Sequence, residues 1–272
     1  MITLTDEELA SINRAILTRY GIDFFNYETN SLKRRVARVI DKYQFESSLG
    51  LWRELISNKD FINVYIDELT VGLTEMFRNP DFWIKLKNDI IPHISNNKTI
   101  SIWHAGCSTG EEVYSMGILL NEENLLWKTE IIGTDLNSQS IENCKLGTFN
   151  AMYKDLYTKN YINQNGRYQL EKYYEVNGEN LRFNKVPFKQ IQFYQHNLTK
   201  DPMNKQFDII FCRNVMIYFD EVLKIKVLKQ FADALKPNGF LIIGYYDALP
   251  NQFSDFFTLY DPSIKTYRKI LA

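Results

Sequence analysis

Long apolar runs are absent from this chain, and so is any cluster of metal-binding residues. No stretch approaches the roughly 20 apolar residues that a membrane-spanning helix needs, so direct insertion into a bilayer is not expected. The three cysteines, Cys107, Cys144 and Cys212, show no Cys-x-x-Cys spacing, and the three histidines are equally scattered. Such scatter argues against zinc and reads as reduced, buried thiols of a cytoplasmic protein, so no metal is expected. Charge of one sign is also in short supply. A net charge of −1 provides no global field for nucleic acid or anionic membrane, and neither is expected as a partner. The acidic start, MITLTDEELA, has no basic segment leading into an apolar one and does not read as a secretory signal.

Apolar residues, at 45 %, and aromatics, at 14 %, are plentiful. The 272 residues suffice for a large domain with a smaller one beside it. Residues 1 to about 75 read as helices, with no strand signal. TDEELASINRAILTRYG opens with Thr5 and Glu8 in capping-box spacing and closes on Gly21. In NSLKRRVARVIDKYQF, Leu32, Val36, Val39 and Tyr43 recur on one helical face, and Arg34, Arg35 and Arg38 share the other side. Such a basic run has two readings of equal weight, a solvated face or a dock for an acidic helical partner.

Beyond residue 75 the pattern alternates. TISIWHAG, TEIIGTD, IQFYQHN, FDIIFCRN and GFLIIGYYD read as strands, with EEVYSMGILLNEE, SQSIENCKLG and DEVLKIKVLKQFADAL as helices among them. Strands alternating with helices imply a doubly wound α/β sheet. Between about 160 and 190, polar and aromatic residues alternate around Asn177-Gly178, which predicts a small inserted antiparallel hairpin.

The turn within WHAGCSTGEEVYS (103–115) follows the first of these strands and opens a helix, where open α/β sheets hold ligands. Ser108 with Glu111 and Thr109 with Glu112 both fit capping-box spacing, and only one frame can serve. The turn lacks the Gly-x-Gly-x-x-Gly order, and its two glutamates would repel a pyrophosphate, which argues against NAD. They suit a cation, such as the sulfonium and ammonium of S-adenosylmethionine. Asp135, ending the second strand, stands where an acid takes ribose hydroxyls in such folds.

Three segments in this order, ELTVGLTEMFRNPDFW (68–83), WHAGCSTGEEVYS and FDIIFCRNVMIYFD (207–220), strongly resemble the signature segments of the CheR-type chemotaxis receptor protein-glutamate O-methyltransferases. The resemblance extends to the basic N-terminal helix and covers nearly the whole chain. It implies a Rossmann-like class I methyltransferase sheet with an inserted small β-subdomain, preceded by a small all-α domain. The boundaries expected are 1–75 for the receptor-docking helical domain and 76–272 for the methyltransferase domain. The implied reaction moves a methyl group from S-adenosylmethionine to receptor glutamates, leaving S-adenosylhomocysteine and a methyl ester. By motif, Thr74, Arg78, Glu112, Asp135, Asn197, Leu198, Arg213 and Asn214 are the implied ligand contacts, with Glu112 at the methionine end. Arg78 and Tyr218 are implied at the methyl-transfer end, and Arg34, Arg35 and Arg38 at the receptor. The implied partner is the cytoplasmic domain of methyl-accepting chemotaxis receptors, met by a cytoplasmic monomer peripheral to receptor arrays.

Two departures stand out. Gly72 replaces a common asparagine, and Gly244-Tyr245-Tyr246-Asp247 replaces a Gly-His-Ser-Glu strand end. They motivate one alternative, a non-catalytic CheR-like module that senses S-adenosylmethionine or scaffolds a signalling complex. Asp208 reads as a structural strand-start or ligand-adjacent residue rather than a catalytic one, and Cys107 and Cys212 as small buried fillers.

Overall fold

Thr5 caps the first helix as its spacing with Glu8 predicts. Its hydroxyl accepts from the Glu8 N–H at 3.2 Å, and the Glu8 carboxylate accepts from the Thr5 N–H at 2.9 Å. Helix α1 (Asp6–Tyr20) ends on Gly21 at φ 68°, a left-handed conformation that glycine adopts without strain. The structure, a computed structural model, describes residues 4–69, 74–185 and 187–270. The Gly72 departure therefore lies outside the described residues.

The chain divides into two compact units, Met1–Gly72 with Met216–Leu228, and Leu73–Val215 with Lys229–Ala272. The first contains α1, α2 (Thr29–Lys42), α3 (Ser48–Ser57) and α4 (Phe61–Leu69). Helix α2 starts where the Glu28 carboxylate accepts from the N–H groups of Asn30 and Ser31, and it buries Leu32, Val36, Ala37, Val39 and Ile40. Tyr43 departs from the expected face. It is the C-cap residue, 37 % exposed, and its ring meets Phe61 edge-on. The distant segment 216–228 joins this unit through a Tyr27–Phe219 bridge and ring contact, a pairing that no local pattern announces.

The second unit opens with α5 (Pro80–Lys85), a π turn (Leu86–Ile90) and α6 (Ile91–Ser95). Then follow β1 (Ile100–Ala105), α7 (Glu111–Glu122), β2 (Thr129–Asp135), α8 (Ser138–Leu146), β3 (Thr148–Asn150), α9 (Lys154–Asn163), β4 (Tyr174–Asn177), β5 (Asn180–Phe183), β6 (Ile191–Gln195) and β7 (Phe207–Cys212). Helix α10 (Glu221–Ala234), divided between the units, precedes β8 (Leu235–Ile243), β9 (Phe257–Asp261) and β10 (Thr266–Lys269). The main sheet has the order β6-β2-β1-β7-β8-β10-β9, parallel from β6 to β8, with β10 antiparallel to both β8 and β9. Strand order reverses between β1 and β7, which opens a crevice at the carboxyl ends of these two strands. This is the expected Rossmann-like methyltransferase sheet. Ile102, Ile131, Ile209, Phe211 and Ile242 from four strands bury one face against Val113, Met116 and Leu120 of α7.

The inserted subdomain is larger than the predicted hairpin. Its sheet runs β3-β5-β4, so its first strand lies upstream of residue 160, and α9 falls between its strands in the chain. A three-residue strand carries no periodicity to read. The hairpin itself pairs Asn177 with Asn180, so the loop residues are Gly178 and Glu179 rather than Asn177 and Gly178. Buried Glu122 ties the insertion to α7, accepting from the hydroxyls of Tyr161 and Tyr173 and from the Arg167 N–H. No helix among the described residues is long and apolar enough to cross a membrane.

Candidate S-adenosylmethionine site

The turn after β1 is fastened to the end of β2. The Gly106 and Cys107 N–H groups both donate to the Thr134 carbonyl at 2.8 Å. Gly106 has φ 80°, and a Cβ there would stand 2.3 Å from Val215, so a side chain is excluded on both counts. Neither predicted capping box forms. Gly110, at φ 97°, is the N-cap of α7 and provides no side-chain cap, which places Glu111 and Glu112 in the first turn. There both carboxylates favour the positive end of the helix dipole.

Freed from capping, the two glutamates point to different partners. Glu111 is buried and accepts from Thr109 Oγ1 at 2.6 Å and the Tyr157 hydroxyl at 3.2 Å; burial pushes its pKa up against these bonds. Glu112 accepts from His104 Nδ1 at 2.9 Å through one oxygen and from Arg213 Nη1 at 2.8 Å through the other. Burial works to raise its pKa, but His104 and Arg213 together outweigh that and hold it below the ordinary value. A fifth of the Glu112 side chain remains accessible, so the carboxylate is held yet still reachable.

Arg213 extends this network. Its second nitrogen donates to Asn79 Oδ1 at 2.9 Å, and its guanidinium lies 4.0 Å from the centroid of Phe82. Asn79 is the left-handed N-cap residue of α5, with φ 58°. The loop before it is held by Phe77 N–H to Ser115 Oγ at 2.9 Å and by Trp83 Nε1 to the Arg78 carbonyl at 3.1 Å. Thr74 and Arg78 are half-buried on this loop.

Asp135, at the end of β2, accepts from the Ser108 N–H at 2.8 Å and the Asn137 N–H at 3.0 Å, one on each oxygen. Burial raises its pKa, and the backbone donors only partly offset this. Each oxygen keeps acceptor capacity for a hydroxyl. The His196 N–H donates to the Asp135 carbonyl at 2.8 Å, which sets Asn197 and Leu198 just beyond the end of β6. Asn197 Oδ1 is occupied within its own turn, accepting from the Thr199 N–H and hydroxyl, and Leu198 is buried. Asn214 follows β7 in the left-handed conformation, φ 62°. A Cβ on Gly244 would stand 2.8 Å from the Asn214 nitrogen, so the strand end keeps glycine where the two backbones meet.

Thus Glu112 and Arg213 meet directly, and Asp135, Asn197, Leu198 and Asn214 gather at the carboxyl ends of neighbouring strands. Tyr218, Arg34, Arg35 and Arg38 belong to the helical unit. Arg35 does not share the surroundings of Arg34 and Arg38, contrary to the expected common side. Its guanidinium donates to the Leu69 carbonyl and lies 4.4 Å from the Tyr218 ring centroid, whereas Arg34 and Arg38 are exposed. One helical position of rotation is enough to turn a side chain inward. Cys107 and Cys212 are buried free thiols whose pKa burial pushes up, and Asp208 accepts from Asn97, Ser101 and Lys236, which is the structural of its two expected roles. Sequence reasoning missed His104, Asn79 and Phe82. Only Asn79 carried a signal, an asparagine placed just before a helix-starting proline.

Two carboxylates therefore stand at this end of the sheet, Asp135 held by backbone N–H groups and Glu112 oriented by His104 and Arg213. Two family models match the chain, "CheR methyltransferase, SAM binding domain" over residues 72–264 and "CheR methyltransferase, all-alpha domain" over residues 7–70. The chain belongs to the CheR methyltransferase family. Among its relatives, a Pseudomonas putida protein named Cher3 is 33 % identical over 97 % of this chain and 96 % of its own. The chemotaxis protein methyltransferases of Listeria innocua (26 % identical, 92 % of this chain and 94 % of theirs) and Borreliella burgdorferi (27 %, 91 % and 90 %) are also similar. The cofactor of this CheR family member is S-adenosylmethionine. No group of three or more metal-ligating side chains occurs among the described residues.

Proposed function

We propose that this methyltransferase esterifies glutamate side chains on the cytoplasmic domain of methyl-accepting chemotaxis receptors, yielding glutamate methyl esters. The observation that carries the reading is the joint match of both CheR domains across nearly the whole chain, supported by an oriented Glu112 and a backbone-held Asp135 at the sheet's carboxyl ends. S-adenosylmethionine supplies a methyl group already activated on a sulfonium. Asp135 would take the ribose hydroxyls, Glu112 the ammonium, and Asn197 with Leu198 the adenine edge. Thr74, Arg213 and Asn214 complete the proposed ligand contacts.

A glutamate acceptor, with an ordinary pKa near about 4.3, is an anion at neutral pH and needs no general base. The tasks left to the protein are alignment and exclusion of water. Arg78 is proposed to orient the incoming carboxylate, and Tyr218 to shape its approach. Arg34 and Arg38 are proposed to attract glutamate-rich receptor helices, with Arg35 instead bracing Tyr218.

Incubation with radiolabelled S-adenosylmethionine and membranes from the source organism should place base-labile label on receptors. Arg78→Ala should lower this transfer by about tenfold or more, the worth of a charge-assisted bidentate pair, while melting near the parent temperature. Base-stable label, or none on any receptor, would overturn the reading. A variant that melts normally and transfers at the parent rate would remove Arg78 from it.

A further inference from the structure

His104 sits on β1 opposite Phe211 of β7, and the two rings stack with centroids 4.4 Å apart and planes 5° from parallel. The residue is 1 % exposed. Its Nδ1 lies 2.9 Å from Glu112 Oε1, while Nε2 is buried with no hydrogen-bond partner among the described residues. Burying a polar nitrogen without a partner is costly, and a phenylalanine would stack on Phe211 without that cost. The imidazole therefore has one favourable polar contact to justify its place, the bond from Nδ1–H to Glu112.

That bond complements the one from Arg213. Arg213 binds one oxygen of Glu112 and His104 binds the other, so rotation of the carboxylate about its terminal bond is stopped from both sides. A carboxylate has about four acceptor sites, and two remain for a ligand in a defined direction. Arg213 is itself fixed by Asn79 and Phe82, and His104 by its stack on Phe211.

We propose that His104 is a positioning residue that aims the Glu112 carboxylate at the amino-acid end of the methyl donor. This rests on the reading that Glu112 meets that end. His104 touches no ligand atom in this scheme; it acts through Glu112 alone.

The test compares two ligands by titration calorimetry, S-adenosylhomocysteine and 5′-methylthioadenosine, which lacks the amino acid. His104→Leu should weaken S-adenosylhomocysteine by about fivefold or more, the worth of one hydrogen bond to a charged group, and leave 5′-methylthioadenosine unchanged. His104→Asn carries an amide nitrogen where Nδ1 stood and should restore most of the loss. Glu112→Gln should show the same split between ligands. An equal loss for both ligands in His104→Leu, or no rescue by His104→Asn, overturns the proposal. A Glu112→Gln variant without the split instead overturns the underlying reading of Glu112. Should His104→Leu not fold, His104→Gln, whose amide lies beyond the Nδ1 position, replaces it with the same expected split.

Discussion

Asp208 near the start of β7 and Asp135 at the end of β2 are both carboxylates at the margins of one sheet, yet their surroundings differ. Asp208 accepts from the Asn97 amide at 2.8 Å, the Ser101 N–H at 2.7 Å and the Lys236 ammonium at 2.8 Å. Its charge is matched and its oxygens are spoken for. Asp135 accepts from the backbone N–H groups of Ser108 and Asn137, and burial raises its pKa against its backbone donors. The first joins β1, β7 and β8 where the strands begin. The second stands where the strands end, with acceptor capacity left over. A carboxylate whose burial is incompletely compensated is a better candidate for ligand binding than one with a full set of partners.

Exchanging the two roles by mutation is the sharpest way to break this contrast. Asp208→Asn should cost about 2 kcal/mol of stability, the range for lost hydrogen bonds to a charged group, with ligand affinity of the folded protein unchanged. Denaturant titration and calorimetry on the same samples check both halves. Asp135→Ala should do the reverse: S-adenosylhomocysteine affinity falls at least tenfold, or about 1.4 kcal/mol, with a smaller change in stability. Equal effects of the two substitutions on binding would erase the distinction.

His196, beside Asp135, extends the contrast to pH. It is buried, neither ring nitrogen has a hydrogen-bond partner among the described residues, and burial lowers its pKa. The unfolded chain takes up this proton near pH 6.5 and the folded chain only below that, so the unfolded state holds more protons in that window. Stability therefore falls as pH drops from about 6.5 towards the lowered folded value, by at most about 1.4 kcal/mol per pH unit for one proton. His196→Leu should flatten this part of the curve of unfolding free energy against pH. An unchanged slope would assign the acid sensitivity to other groups.

The smallest expected effect lies in the helical unit. Arg34→Glu with Arg38→Glu should raise the apparent receptor KM by a few-fold at low salt and leave S-adenosylhomocysteine affinity intact. The screening length of about 8 Å at physiological ionic strength predicts that the parent's advantage fades as salt rises. Arg35→Ala should behave differently, lowering the melting temperature because its guanidinium is bonded to Leu69 and lies over Tyr218. Three equivalent arginines would refute the separation.

Local pattern alone determined most of the elements of this protein. Helical spacing marked α1 and α2, a capping box and a glycine bounded α1, and apolar strand runs separated by helices implied the wound sheet. The absence of a phosphate loop beside two glutamates pointed to the right ligand class, and three motif segments pointed to the family. These signals are readable because they lie within a few residues of one another. The tertiary structure decided what spacing cannot express. Gly110 took the N-cap position and released Glu111 and Glu112 to separate partners. His104 met Glu112 only because β1 feeds directly into α7, and Arg213 reached the same carboxylate from 101 residues away. Arg35 turned inward while Arg34 and Arg38 stayed out, and residues 216–228 joined the first unit rather than the second. Each of these depends on which side chains become neighbours after folding, where burial and charge pairing fix a role that the residue type leaves open.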